Sequence, residues 1–323
     1  MKLVTRPAFV ALVALAGCAH QQPPAANPAR PTAAAPAAAA EPAAAAPAAD
    51  GSLKIDRSGT IEQQLARLQD AHDRNADAVD FLNKVYAQQK AKASAEEAEE
   101  PAEDAVFAVD VTGEVAAGQV DGPADAPVTI VKAFDFACPY CQRMAAPLTE
   151  LVKEYNGKVR VVYANMVVHP PARPAHLASC AAAKQGKYKQ FKDAFWDKGY
   201  APYAASNGGD ATSLGEDNIL VIAKGLGLDP VRFKTDMASS ACEDRLTKDM
   251  AEMAKFHVNA TPTFFINGKH VSGARSKAEF KQLIDEQLKI VAASGVPAGD
   301  YYARVVVGQG EKQFRSKADP KRR

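Results

Sequence analysis

The chain has 323 residues, 47% of them apolar or aromatic, and its 39 Lys plus Arg nearly cancel its 38 Asp plus Glu to leave a formal net charge of +1. That length suits one sizeable domain with accessory segments, and the apolar fraction suits a packed core. The balanced charge excludes a basic field of the kind that binds nucleic acid, and the Lys321-Arg322-Arg323 cluster is too short to change that.

Lys2 and Arg6 precede the apolar stretch Ala8 to Ala16, which is too short to span a bilayer as a helix and reads as an export signal. The run ends Leu15-Ala16-Gly17-Cys18, which resembles the bacterial lipobox. The resemblance implies a lipoprotein signal peptide over residues 1–17 and a lipid on Cys18 that anchors the mature chain to a membrane of the bacterial cell envelope. A soluble secretory signal with a chance cysteine is the alternative. Residues 18–52, nearly all Ala, Pro and Gln after His20, hold too few large apolar groups for a core and are expected to form a disordered tether.

Residues 53–104 form a predicted helical segment. Ile61, Leu65, Leu68, Val79, Leu82 and Tyr86 follow alternating steps of four and three, with His72 and Asn75 completing the register. One apolar seam on a helix must find a partner surface. Two outcomes are open: a homo-oligomer formed through residues 53–90 as a coiled coil, or docking on the rest of the chain. The Ala- and Glu-rich stretch Lys90 to Asp104 reads as helix continuation or linker.

An α/β domain is predicted over residues 105–293. Phe107 to Val111 alternates and predicts a short strand, and the turn Gly122 to Pro127 leads into the apolar run Val128 to Phe134, a core strand. Cys138-Pro139-Tyr140-Cys141 follows directly, before a helix-like stretch from Gln142 to Tyr155 that Pro147 should kink. A thiol at a strand-to-helix junction meets unpaired backbone N–H groups that favour its thiolate, so Cys138 is the expected nucleophile. Cys141, within one helical turn, is the expected resolving thiol, and Pro139 lets the helix begin at once. Asp135, three residues ahead of Cys138, is expected to be a solvated strand-end carboxylate, the alternative being an electrostatic influence on the thiol pair.

Val159 to Tyr163 is the next predicted strand. His169 reads as a loop or packing histidine. From Pro174 to about His257 the pattern is helical, over Ala175 to Lys184, Lys187 to Trp196, Asn218 to Gly225, Pro230 to Ser239 and Cys242 to Phe256. Thr261-Pro262-Thr263 then precedes a predicted hairpin with Phe264 to Ile266 as strand and Asn267-Gly268 as turn. Lys277 to Val291 is the closing amphipathic helix, and residues 294–323 are a tail of undetermined structure.

A Cys-x-x-Cys after a core strand and a Thr-Pro before a closing hairpin, separated by a long helical segment, resemble a DsbA-like thioredoxin-fold thiol:disulfide oxidoreductase over roughly Phe107 to Val291. The resemblance implies a thioredoxin fold with a helical insertion over about 174–257. It also implies a cis Pro262 facing the dithiol and backbone hydrogen bonds from Thr261 to an extended substrate. The expected partners are exported, periplasmic polypeptides with thiols or disulfides and a membrane redox protein that resets the dithiol, with no bound cofactor. Tyr140 stands where the strongest oxidases of the family carry histidine, so a less stabilised Cys138 thiolate is expected.

The remaining Cys180 and Cys242 are expected to form a structural disulfide, or to remain two buried free thiols. No second Cys-x-x-Cys is present, and His176 with Cys180, four residues apart, is too little for a metal site, so none is expected. The competing functional class is a non-enzymatic envelope lipoprotein that binds polypeptides, its cysteine pair merely structural.

Overall fold

The computed structural model describes residues 57–320. The export signal, the lipobox with Cys18, the Ala/Pro-rich tether and the terminal basic cluster lie outside the described residues. The chain divides into two units, residues 1–74 and 75–323.

The described part of the first unit is the start of a long helix, α1 (Ile61–Glu99). Thr60 opens it with a reciprocal cap: its Oγ1 accepts from the Gln63 N–H at 3.3 Å, and Gln63 Oε1 accepts from the Thr60 N–H at 3.1 Å. The helix continues through the Ala- and Glu-rich stretch. No residue of α1 is buried, and the seam residues Ile61, Leu65, Leu68, Val79, Leu82 and Tyr86 are all exposed.

In the second unit five strands form one sheet: β1 (Val120–Asp121), β2 (Val128–Phe134), β3 (Val159–Asn165), β4 (Thr263–Ile266) and β5 (Lys269–Ser272), in the order β1-β3-β2-β4-β5. β2 and β3 run parallel, and the other pairs are antiparallel. Every residue of β2 and β3 is buried, as a sheet covered on both faces requires.

One face, with Ile130, Phe134, Tyr163 and Phe264, packs against Leu148, Phe195, Phe233 and Ile284. The other, with Val131, Ala133, Val162 and Phe265, packs against Phe107, Phe256, Tyr302 and Val306.

Phe107 to Val111 is not a strand of this sheet. The edge beside β3 is occupied by Val120–Asp121, and the Phe107 N–H instead donates to the Gly268 carbonyl at 2.9 Å. Ala108 donates to Glu311 and Glu311 to Val106, so this segment pairs with the C-terminal tail. Phe107, Ala108, Val109 and Val111 are buried and Asp110 is exposed, so the burial of Ala108 breaks the strand alternation. Residues 301–306 fill the second core with Tyr301, Tyr302 and Val306, and the Tyr302 hydroxyl donates to the Val109 carbonyl at 2.8 Å.

A short helix, α2 (Thr112–Ala116), precedes β1, and after β2 come α3 (Pro139–Arg143) and α4 (Ala145–Glu154), broken at Met144. Pro147 causes the break because it has no N–H for the Arg143 carbonyl one turn back. The helical stretch after β3 contains α5 (Arg173–Ala183), α6 (Tyr188–Phe195), α7 (Ala201–Ala205), α8 (Glu216–Gly225), α9 (Pro230–Met237) and α10 (Ser240–Ala254). A π-helical turn, Trp196–Tyr200, joins α6 to α7, and a Cβ at Gly199 would meet the Phe195 ring at 2.7 Å. Cys180 on α5 and Cys242 on α10 are joined by a disulfide.

The hairpin turn is Asn267-Gly268, both residues at positive φ. Asn267 Oδ1 also accepts from the Thr129 N–H at 2.9 Å, which pins the turn to β2. α11 (Lys277–Ala293) closes the sheet face beside α4, with Ser276 and Glu279 in a capping box. No helix among the described residues is long and apolar enough to cross a membrane.

Candidate active site

The dithiol lies where β2 ends. Asp135 turns the chain: its backbone carbonyl accepts from the Cys138 N–H at 3.1 Å, and its side chain accepts from Ala137 N–H at 2.7 Å. The carboxylate also accepts from the N–H groups of Val168 at 2.6 Å and His169 at 2.7 Å. Asp135 is therefore fully buried, contrary to the solvated carboxylate the sequence suggested, because three donors replace its water. His169 stays partly exposed, with Nδ1 3.4 Å from the same carboxylate.

Cys138 is the N-cap of α3 with an extended backbone, and Pro139 occupies the first helical position. Cys138 is 3% exposed and Cys141 wholly buried, so Cys138 is the outer sulfur. Both are free thiols. The Thr261-Pro262 bond is cis, and the Thr261 carbonyl oxygen accepts from the Cys138 thiol at 3.2 Å. Pro262 is thereby beside the dithiol, at the entrance to β4.

The Cys138 thiol is pushed down to about 5. The largest cause is the hydrogen bond from the Cys141 thiol; burial opposes it, and Thr261 with the backbone N–H groups of Cys141 and Tyr140 restores the shift. A thiolate cannot donate to the Thr261 carbonyl. The donor available to the thiolate is the Thr261 hydroxyl, whose oxygen is buried without a hydrogen-bond partner and whose side chain lowers the Cys138 thiol. The Cys141 thiol moves far the other way, chiefly through burial and then through its bond to Cys138. One sulfur is thus ionised at neutral pH and the other stays protonated.

Tyr140 points outward, 51% exposed, with the Arg143 guanidinium 4.2 Å from its ring centroid. Tyr200, on the π-helical turn, faces Cys138 from the helical insertion, and burial, then the thiol, raises its phenol. Trp196 stands against Tyr200 at 5.6 Å between ring centroids, and Phe136 against Trp196 at 5.3 Å.

Sequence reasoning missed this aromatic wall, since a π turn leaves no helical period to follow. It also missed Lys132. That lysine interrupts the apolar run of β2, is 1% exposed, and donates from Nζ to the Cys141 carbonyl at 2.9 Å. A lysine inside a strand buried on both faces was the available signal.

His176 does not approach a metal-ligand arrangement. Its Nδ1 lies 2.8 Å from Asn165 Oδ1, burial holds it down to about 4, and its helical neighbour Cys180 is committed to the disulfide. Asn165 in turn donates its backbone and side-chain N–H groups to Asp249 Oδ2, at 2.9 and 2.6 Å. Burial and the Glu114 carboxyl raise Asp249 to about 8.

Residues 114–286 match the profile of a family described as Thioredoxin. Over 173 residues the chain is 31% identical to a probable disulfide bond formation protein D of Bacillus cereus, covering 52% of this chain and 77% of that protein. It is also 28% identical over 179 residues to the Na(+)/H(+) antiporter NhaA of Herminiimonas arsenicoxydans, covering 55% of this chain and 27% of the antiporter. The chain spans about a quarter of the length of the antiporters it matches. Among solved structures, a thioredoxin-like oxidoreductase from Silicibacter pomeroyi aligns with a TM-score of 0.45 and 29% identity, over 53% of this chain and 91% of that one. BdbD from Bacillus subtilis aligns with a TM-score of 0.46 and 23% identity, over 59% and 99%.

Proposed function

From the premise that this chain belongs to the thioredoxin family, as a DsbA-like member, we propose that it is a protein thiol:disulfide oxidoreductase working through Cys138 and Cys141. The observation that carries the reading is the opposite treatment of two adjacent thiols, one pushed down to about 5 and one kept protonated by burial. A purely structural pair has no use for that asymmetry.

In the oxidising direction a substrate thiolate attacks Cys138 of the Cys138–Cys141 disulfide, and Cys141 leaves with the electron pair and takes a proton. A second substrate thiolate then attacks the substrate sulfur of the mixed disulfide and releases Cys138 as its stabilised thiolate, leaving the substrate oxidised and the enzyme reduced by two electrons. In the reverse direction the Cys138 thiolate attacks a substrate disulfide, and Cys141 displaces the substrate. Thr261, Pro262 and the Tyr200 wall border the outer sulfur, where an extended polypeptide would lie.

The substrates on this reading are exported polypeptides, and a membrane redox partner resets the dithiol. The export signal and Cys18 support a periplasmic, lipid-anchored location. The exposed seam of α1 supports self-association through residues 53–90.

The test is turnover of a reduced, unfolded model substrate by the chain and by Cys138→Ser and Cys141→Ser. The reading requires loss of activity in the first and accumulation of a substrate mixed disulfide in the second. Undiminished folding activity in Cys138→Ser would instead favour a polypeptide-binding protein.

A further inference from the structure

Arg143 is a cation at the mouth of the dithiol that the exchange steps do not use. It ends α3, three residues after Tyr140, a spacing that puts both side chains on one face of the helix. Both are exposed, and the guanidinium carbon lies 4.2 Å from the Tyr140 ring centroid. Contact of this kind braces a guanidinium against the ring and leaves its N–H groups free to donate.

No carboxylate lies within ion-pair distance of Arg143 among the described residues. Asp135, the acid at the end of β2, is buried and already occupied by the N–H groups of Ala137, Val168 and His169. Exposed cations elsewhere on the domain are held by acids, as Arg173 is by Glu243 and Lys277 by Glu150 and Glu154. Arg143 also reaches the aromatic wall of the helical insertion, where it opposes the rise that burial and the Cys138 thiol cause in the Tyr200 phenol. Tyr200 in turn packs 6.3 Å from Tyr203, ring centroid to centroid. The Cys138 thiol itself is governed by Cys141, burial, Thr261 and backbone N–H groups. An unpaired guanidinium beside two aromatic surfaces is therefore left to act on what approaches the outer sulfur.

We propose that Arg143, braced by Tyr140, selects polypeptide substrates that carry an aspartate or glutamate beside the reacting cysteine. The guanidinium takes the substrate carboxylate through charge-assisted N–H donors, and the Tyr140 and Tyr200 rings take the apolar atoms that flank it. No bond is made or broken in this contact. It holds the substrate sulfur near Cys138 and offsets the repulsion between an acidic substrate and the Cys138 thiolate. The proposal rests on the oxidoreductase reading of the dithiol.

Two reduced dithiol peptides, identical except for glutamate or lysine on both sides of one cysteine, test it. Each is oxidised in single turnovers by the full chain carrying the Cys138–Cys141 disulfide, and the ratio of the two second-order rate constants is compared between variants. Arg143→Gln should lower the glutamate-to-lysine ratio by about 10-fold, and Arg143→Glu should lower it further. Tyr140→Leu, which removes the brace and keeps the charge, should lower it by about 3-fold. Added salt should shrink the ratio in the unsubstituted chain. The pH dependence of Cys138 alkylation should be the same in the Arg143 variants as in the unsubstituted chain. An unchanged ratio in Arg143→Glu overturns the assignment. So does an equal loss of rate with both peptides, or a shifted Cys138 alkylation profile, because either would make Arg143 a structural or thiol-tuning residue. Failure of the unsubstituted chain to oxidise either peptide would overturn the oxidoreductase reading itself.

Discussion

The Thr261 carbonyl oxygen lies 3.2 Å from Cys138 Sγ, although 123 residues separate them in the chain. The same residue offers its hydroxyl to the thiolate once the thiol proton has gone. Thr261→Val keeps the shape and the carbonyl but removes that donor. The Cys138 pKa, read from the pH dependence of thiolate absorbance or alkylation, should rise from about 5 by about 1 unit, in line with loss of a hydrogen bond to a charged group.

A Cys138 pKa of about 5 falls between the values of about 3.5 and about 7 of strongly oxidising and reducing dithiols. The reduction potential of the pair in glutathione buffers should accordingly fall between about −120 and about −270 mV. A value at either limit would show that thiolate stability does not control the direction of exchange here.

Stability should depend on pH through groups remote from the dithiol. Asp249 is raised from 3.8 to about 8, so its contribution is complete below pH 3.8 and lost as pH rises through 8. His176 is lowered from 6.5 to about 4, so its contribution is complete above pH 6.5 and lost as pH falls through 4. Reduced Cys138, lowered from 9.0, adds stability as pH rises from 5 to 9 and would mask Asp249. In the oxidised protein that thiol is silent. There the chain should lose about 2 kcal/mol more than Asp249→Asn between pH 6.5 and pH 8, measured by urea unfolding.

The Cys180–Cys242 bridge closes a span of 62 residues between α5 and α10. Replacing both cysteines by alanine should lower unfolding free energy by about 4 kcal/mol on the chain-entropy account. Dithiol exchange at Cys138 should continue at temperatures where the variant remains folded. Denaturant titration beside a turnover assay checks both.

An exposed apolar seam on α1 should draw copies of the chain together. Leu68→Lys with Leu82→Lys places charges at two seam positions and should reduce the mass in sedimentation equilibrium to that of one chain. Exchange at the dithiol should be unchanged in rate per chain. An unaltered mass would remove α1 from any assembly.

Local signals in the sequence determined much of this protein. The apolar run Val128 to Phe134, the β-branched stretch Val159 to Tyr163 and the Asn267-Gly268 turn located three strands and the hairpin, because strand propensity and turn chemistry act over a few residues. Cys138-Pro139 at a strand end likewise marked the helix start. Phe107 to Val111 had an equally good strand pattern but lost the sheet edge to Val120–Asp121, since pairing depends on what else can occupy the ladder. Burial of Asp135, the alignment of Cys138 with Thr261, the bond between Lys132 and Cys141, and the use of the C-terminal tail as core were decided only in three dimensions. Each depends on which distant groups displace water around a polar atom or an apolar face, and that is a property of packing which no local pattern encodes.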